Sequence, residues 1–218
     1  MTTKLAGVLF DLDGTLLDTA RDMGNALNIM LSELQRPLVP YEDYRKIASD
    51  GAKGMLELGF GDDLQHFDFD ELRQQFLAHY AHNICAHTVY FKGVEKMLET
   101  LNANAIAWGI VTNKPENLTT QLLAHFPLLE QCQVIIGGDT LPQRKPHPLP
   151  LLHALEELGL HTSQVCYVGD ALRDIEAAKA ANMHSVVAEY GYIQHPDAVC
   201  FWQADTHIQD PLQLLEFF

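Results

Sequence analysis

The sequence has little positive charge. It contains 14 lysines and arginines against 29 aspartates and glutamates, which gives a formal net charge of −15. Nucleic acids and anionic membrane surfaces select basic proteins, so this balance argues against both as partners. A small anionic ligand would need local positive charge in order to bind.

Long apolar segments and paired cysteines are also missing. No run approaches the roughly 18 apolar residues of a membrane span, and no long apolar segment follows the N-terminal charge. We therefore expect no membrane span, no signal peptide and a cytoplasmic location. The four cysteines form no Cys-x-x-Cys pair, which favours reduced, buried thiols over a disulfide or a zinc site.

The remaining composition is that of a globular protein. Hydrophobic residues make up 47% of the 218 residues and charged residues 20%, which is enough for a sizeable core. This length allows one large domain, or a core domain with a small second one. The chain has no internal repeat and no low-complexity linker.

The most informative stretch lies near the N-terminus. Residues 8–10 form an apolar run, typical of a strand buried on both faces, and Asp11 and Asp13 follow it. Alternate strand positions face the same way, so we expect the two carboxylates to lie side by side. Such a pair either shares a proton or holds a hard cation such as Mg²⁺. A helix cap or a turn is the alternative for a bare Asp-x-Asp.

Apolar strand-like stretches alternate with helical ones beyond residue 90. The predicted strands are 105–111, 134–136, 165–168, 185–188 and a short one near 206–208, and the predicted helices are 94–101, 116–126, 151–158 and 173–181. This alternation predicts an α/β fold, with a doubly wound parallel sheet in a Rossmann-like core.

Residues 17–85 have a different pattern. Helical periodicity covers 17–34 and 69–84, a glycine-bounded loop is predicted at 49–54, and no strand pattern is present. We therefore predict a small all-helical cap domain at 17–85, inserted into a core that comprises residues 1–16 and 86–218. The insertion leaves from the end of the first strand, so the cap should lie over any site there.

Polar side chains follow three of the predicted core strands. Asp11 and Asp13 follow the first, Thr112 and Asn113 the second, and Asp170 the strand at 165–168. The carboxyl ends of parallel strands meet at one edge of the sheet, so these side chains should converge there.

The segment Asp11-Leu12-Asp13-Gly14-Thr15 resembles the first motif of the haloacid dehalogenase-like hydrolases, most of which are phosphatases. Thr112 after a buried strand, Lys145, and Gly169-Asp170 match the family's later motifs in order. The resemblance implies a Mg²⁺-dependent phosphomonoesterase that forms an aspartyl-phosphate. The family's dehalogenases lack the second acid, so Asp13 favours phosphoryl transfer.

The same resemblance implies a role for each of these residues. Asp11 is the nucleophile, and Asp13 protonates the leaving alcohol and then activates water. Thr112 and Lys145 bind the phosphoryl group. Asp11, Asp170 and the backbone carbonyl of Asp13 hold the Mg²⁺.

Three further residues are candidates for the same site. Asn113, after the second core strand, is expected to bind the substrate. Lys53, in the predicted loop at 49–54, is the cap residue expected to enter the site and select the substrate; an exposed surface lysine is the alternative. Asp174 follows Asp170 by four residues, and the sequence leaves it open between the metal's surroundings and a helix cap.

Within the family, residues 111–115 and 137–148 are similar to bacterial phosphoglycolate phosphatases. Residues 190–193, with His195 and Trp202, look like the related N-acetylmuramic acid 6-phosphate phosphatases. The resemblance favours 2-phosphoglycolate as the substrate, with the amino-sugar phosphate, a sugar-phosphate mutase and a non-catalytic metabolite-binding protein as alternatives. The expected partner is a small phosphorylated metabolite, and the protein is expected to be a monomer or homodimer.

Overall fold

The computed structural model describes residues 4–218, and a sheet of six parallel strands forms its centre. The strands along the chain are β1 (Gly7–Phe10), β2 (Leu17–Asp18), β3 (Val89–Tyr90), β4 (Ala107–Val111), β5 (Ile135–Ile136), β6 (Val165–Gly169), β7 (His184–Ala188) and β8 (Thr206–Ile208). The large sheet has the order β5-β4-β1-β6-β7-β8, and each neighbouring pair is parallel. The predicted parallel α/β core is confirmed.

Helices cover the sheet and build the cap. They are α1 (Ala20–Glu33), α2 (Tyr41–Lys46), α3 (Gly51–Phe60), α4 (Phe69–His82), α5 (Val94–Ala103), α6 (Glu116–Leu123), α7 (Leu149–Leu158) and α8 (Leu172–Ala180). Helices α5 and α6 contribute to the hydrophobic cluster on one face of the sheet, and α7 and α8 to the cluster on the other. Helices α1–α4 lie in the segment predicted to form the helical cap.

Strand β1 lies at the centre of the sheet because its side chains are apolar on both faces. Val8 and Phe10 pack into one hydrophobic cluster and Leu9 into the other, and all three are fully buried. Gly7 is aligned with Ala107 of β4 on one side and with a residue of β6 on the other. The chain order reverses beside β1, and this is where a ligand crevice forms in open α/β sheets.

The structure corrects the predicted loop at 49–54, because residues 51–54 are the first turn of α3. Met55 and Phe60 of this helix are buried in the cap. Gly59 allows α3 to approach α1, since a Cβ at Gly59 would lie 2.7 Å from the Leu27 side chain. Gly59 therefore serves close helix packing, and Lys53 lies on a helix.

A second correction concerns the ends of the cap segment. Helix α1 begins only at Ala20, after β2, although the sequence predicted helix from residue 17. Leu17 and Asp18 pair antiparallel with β3, so a two-stranded ribbon joins the points where the chain enters and leaves this segment. A two-residue strand is too short to show a periodic pattern. The domain boundaries at residues 17 and 85 stay predictions.

No helix within residues 4–218 combines the length and the apolar character that crossing a membrane requires. The four cysteines are free thiols. Cys166 is buried in β6, and burial raises the pKa of its thiol to about 12. Cys85 and Cys132 are half-buried and Cys200 is exposed, so the expectation of buried thiols holds only for Cys166.

Candidate active site

A cavity of about 580 Å³ opens at the carboxyl ends of β1 and β4, with helices α3 and α4 forming its other wall. Its lining includes every candidate residue except Asp170 and Asp174; these are Asp11, Asp13, Lys53, Thr112, Asn113 and Lys145. A carboxylate oxygen of Asp170 lies within 4.8 Å of one of Asp11, which lines the cavity. The structure thus brings the predicted residues to one place.

The buried ion pair of Asp11 and Lys145 lies at the base of this cavity. The Lys145 Nζ is 2.9 Å from Asp11 Oδ1 and 2.8 Å from Asp174 Oδ1, and it donates to the Tyr167 hydroxyl at 2.7 Å. Only 2% of Lys145 is exposed. A buried ammonium requires partners of this kind, and here two carboxylates supply them.

Asn113 holds the loop that carries Lys145. Its amide nitrogen donates to the Lys145 carbonyl at 2.9 Å, and its amide oxygen accepts from the Lys145 backbone N–H at 3.1 Å. The Asn113 side chain therefore holds the Lys145 backbone, whereas its contact with substrate stays a prediction. Thr112 is nearly buried at the end of β4, and its hydroxyl accepts from the Lys114 N–H at 3.2 Å.

Asp13 faces a second buried lysine, which the sequence analysis did not single out. The Lys114 Nζ lies 3.0 and 3.1 Å from the two Asp13 oxygens and 2.8 Å from the Tyr80 hydroxyl of α4. The Thr19 hydroxyl donates to Asp13 at 2.7 Å. Burial alone would lower the pKa of Lys114, but Asp13 and Tyr80 outweigh it and hold that pKa above its ordinary value.

Three carboxylates converge behind the cavity, those of Asp11, Asp170 and Asp174, with one oxygen of each within 4.8 Å of the others. Asp170 Oδ2 accepts from the Ser49 hydroxyl at 2.6 Å and from the Tyr192 N–H at 2.7 Å. Asp170 Oδ1 is buried and has no hydrogen-bond partner among residues 4–218. An orphaned carboxylate oxygen among other acids fits a hard divalent cation.

Burial raises the pKa of Asp170 to about 7, and the charges of Asp11 and Asp174 add to the effect. Gly14 makes the crowding around this carboxylate possible. Its φ is +89°, and a Cβ there would lie 2.1 Å from Asp170 Oδ2. Only glycine fits the first motif at this position, for both reasons.

Both oxygens of Asp174 have partners within the chain. Its Oδ2 accepts from the Ala171 N–H at 3.0 Å, at the start of α8, and its Oδ1 contacts Lys145. Asp174 therefore caps the helix and anchors the lysine at once. It also stands among the acids of the candidate metal site, so the two readings of the sequence are compatible.

Lys53 lines the cavity but points its ammonium toward solvent. Its side chain is 72% exposed, and its Nζ lies 3.7 Å from Glu57 on the same helix. A role for Lys53 in substrate selection stays a prediction.

Comparison with known proteins now places the chain in a family. The family model described as haloacid dehalogenase-like hydrolase matches residues 8–188. The chain belongs to this family. The match begins in β1 and ends with β7, so it spans the cap segment and nearly all of the sheet.

Two relatives of this haloacid dehalogenase-like hydrolase are phosphatases. It is 45% identical over 212 residues to a phosphoglycolate phosphatase of Xanthomonas campestris pv. campestris, covering 96% of this chain and 94% of that one. It is 36% identical to an N-acetylmuramic acid 6-phosphate phosphatase of Pseudomonas putida, covering 97% and 95%.

A solved structure agrees with this placement. A protein from Haemophilus somnus, described as a predicted phosphoglycolate phosphatase, superimposes with a TM-score of 0.87 and 27% identity over 99% of both chains. The resemblance found in the sequence is confirmed, and the protein is an enzyme of the phosphoric monoester hydrolase class.

Proposed function

We propose that this phosphatase uses Mg²⁺ to hydrolyse 2-phosphoglycolate to glycolate and phosphate through an aspartyl-phosphate. The observation that carries the proposal is the pairing of Asp11 with Lys145 and of Asp13 with Lys114 at the base of one cavity. Two carboxylates, each beside a buried ammonium, suit a phosphoryl group that must meet an anionic nucleophile. The choice of ester follows the relative at 45% identity.

The chemistry takes two steps. A carboxylate oxygen of Asp11 attacks phosphorus, the bond from phosphorus to the ester oxygen breaks, and Asp13 gives that oxygen its proton. Asp13 then takes a proton from water, which attacks the aspartyl-phosphate, releases phosphate and restores Asp11. Lys145 and the Thr112 hydroxyl would bind the phosphoryl oxygens and orient them for attack.

The metal would be held by Asp11, Asp170 and the backbone carbonyl of Asp13, with Asp174 beside them. When bound, it would offset the negative charge that the phosphate and these acids bring together. The donor set is all oxygen, which suits Mg²⁺. A cytoplasmic location, a small phosphorylated metabolite as partner, and a monomer or homodimer belong to the same proposal.

N-acetylmuramic acid 6-phosphate is the second candidate substrate. Two observations favour it: the relative at 36% identity, and a cavity of about 580 Å³ that is roomy for a two-carbon ester. Phe76 and Leu77 give part of that cavity an apolar wall, which a sugar ring could contact.

Replacing the nucleophile tests the mechanism. We expect Asp11→Asn to retain less than about a hundredth of the wild-type rate, because a nucleophile contributes several powers of ten. Intact-mass measurement after rapid quenching should show a phosphoryl adduct in the wild type and none in the variant. Asp62→Asn, an exposed acid on the cap segment, is the matched control. A folded Asp11→Asn protein with a higher residual rate would contradict the assignment.

A further inference from the structure

Cationic side chains outnumber acidic ones among the residues that line the cavity, although the whole chain is strongly acidic. Six cationic side chains line it: Lys53, Arg73, Lys114, Arg144, Lys145 and Arg173. The acids in the lining are Asp11, Asp13, Asp50 and Glu57. Each acid has its own cation, at 2.9 Å for Asp11–Lys145, 3.0 Å for Asp13–Lys114, 3.2 Å for Asp50–Arg173 and 3.7 Å for Glu57–Lys53.

Two cations of the lining are left over, Arg73 and Arg144. Neither has an acidic partner or a hydrogen-bond acceptor within residues 4–218. Arg144 is exposed on the loop before Lys145, where water can solvate it. Arg73 is partly buried on α4. A guanidinium that loses part of its hydration without gaining an acid within the fold is suited to an anion that arrives with the ligand.

Helix α4 places Arg73 at a defined distance from the reacting groups. Phe69, Arg73, Phe76, Leu77 and Tyr80 all line the cavity, at a spacing that puts them on one helix face. Tyr80 marks the inner end of this face, since its hydroxyl contacts Lys114 beside Asp13. Arg73 precedes Tyr80 by seven residues, so its backbone lies about 10 Å further out along the helix.

We propose that Arg73 binds a carboxylate that the substrate carries in addition to its phosphate ester. Arg73 would thereby select phosphate esters of hydroxy acids. The inference rests on the proposed function and names the residue that recognises the substrate's second anion. A carboxylate has one charge and two coplanar oxygens, which match the fork of a single guanidinium. 2-Phosphoglycolate and N-acetylmuramic acid 6-phosphate both carry such a group.

The test compares each acidic ester with a neutral counterpart. The pairs are 2-phosphoglycolate with 2-hydroxyethyl phosphate, and N-acetylmuramic acid 6-phosphate with N-acetylglucosamine 6-phosphate. For the pair that the wild type hydrolyses faster, we expect Arg73→Gln to lower kcat/KM for the acid about 10- to 100-fold, and for the neutral ester by less than about threefold. Arg73→Lys should fall between, because it keeps the charge and loses the fork.

Arg21→Gln is the matched control, since Arg21 is exposed on α1 against the Tyr41 ring and does not line the cavity. This control variant should leave kcat/KM unchanged for both the acid and the neutral ester. An equal loss for the acid and the neutral ester in Arg73→Gln would mean a structural role and overturn the inference. The inference would also be overturned if Lys53→Gln, rather than Arg73→Gln, lowered kcat/KM for the acid selectively.

The outcomes separate this inference from the proposed function. Wild-type protein that hydrolyses acidic and neutral esters equally well would overturn only the role of Arg73. Absence of hydrolysis of all four esters would overturn the proposed function, and the role of Arg73 with it.

Discussion

At the scale of one residue, the carboxylate of Asp170 has the features of a cation ligand. Its Oδ2 has two hydrogen-bond donors and its Oδ1 has none among the residues that the structure describes. Burial, with the charges of Asp11 and Asp174, raises its pKa to about 7. Burial therefore disfavours the ionised form, and a cation at the orphaned oxygen would offset this cost.

This arrangement predicts how stability depends on pH and on Mg²⁺. The folded pKa of Asp170 lies above the ordinary value of 3.8, so the folded state holds an extra proton between those values. Without metal, stability should fall as pH rises from about 4 through 7. Mg²⁺ at about pH 8 should raise the Tm of the wild type, because it binds only the folded state.

Thermal unfolding in chelator and in Mg²⁺ checks this prediction. Asp170→Asn should show a smaller loss of Tm with rising pH and no rise with Mg²⁺, whereas the exposed Asp62→Asn should follow the wild type. An equal Mg²⁺ shift in Asp170→Asn would contradict the metal assignment.

Individual residues were predictable where a strand ends in a polar side chain. Asp11, Asp13, Thr112 and Asp170 follow buried strands, and the structure gathers them at one edge of the sheet. Lys114 was not singled out, because its contacts come from Asp13, 101 positions earlier, and from a tyrosine 34 positions earlier. Contacts between distant segments leave no periodic trace in a sequence.

At the scale of elements, α1 is fixed to the segment that returns from the cap. Asp22 of α1 is 1% exposed, and it accepts from the His87 N–H, the Thr88 N–H and the Thr88 hydroxyl at 2.7–3.0 Å. One buried carboxylate thus satisfies three donors of the chain that runs into β3.

Asp22→Asn should lower the free energy of unfolding by about 2–4 kcal/mol, because hydrogen bonds to a charged acceptor are lost and an amide NH₂ faces backbone donors. Asp43→Asn is the control, since Asp43 is half exposed and 3.8 Å from Lys46. It should change stability by less than about 1 kcal/mol. Denaturant unfolding measures both, and similar effects of the two variants would contradict the assigned role of Asp22.

Elements with a long periodic pattern were predictable, and those shaped by packing were not. The sequence predicts a helix at 173–181, and α8 spans Leu172–Ala180. Helix α3 was missed because its glycines lower helix propensity, while the burial of Met55 and Phe60 against the cap compensates. Strands β2 and β3 have two residues each and depend on each other.

On the scale of the whole molecule, a chain with a net charge of −15 can bind an anionic substrate because six cationic side chains line one cavity. Buried pairs hold Lys114 and Lys145 in place there, and Arg73 is the cation that we propose binds the ligand. The parallel sheet could be predicted from alternating strands and helices. The set of cations that lines the cavity could not, because it depends on how the helices of the cap segment meet the sheet.

The most direct test of the proposed function measures phosphate release from 2-phosphoglycolate and from N-acetylmuramic acid 6-phosphate, each with Mg²⁺ and with chelator. We predict a kcat/KM at least about tenfold higher on 2-phosphoglycolate, a difference of about 1.4 kcal/mol, and loss of both activities in chelator. Faster release from the amino-sugar ester would favour the second candidate substrate. Release that chelator leaves unchanged, or no release from either ester, would contradict a metal-dependent phosphatase of this kind.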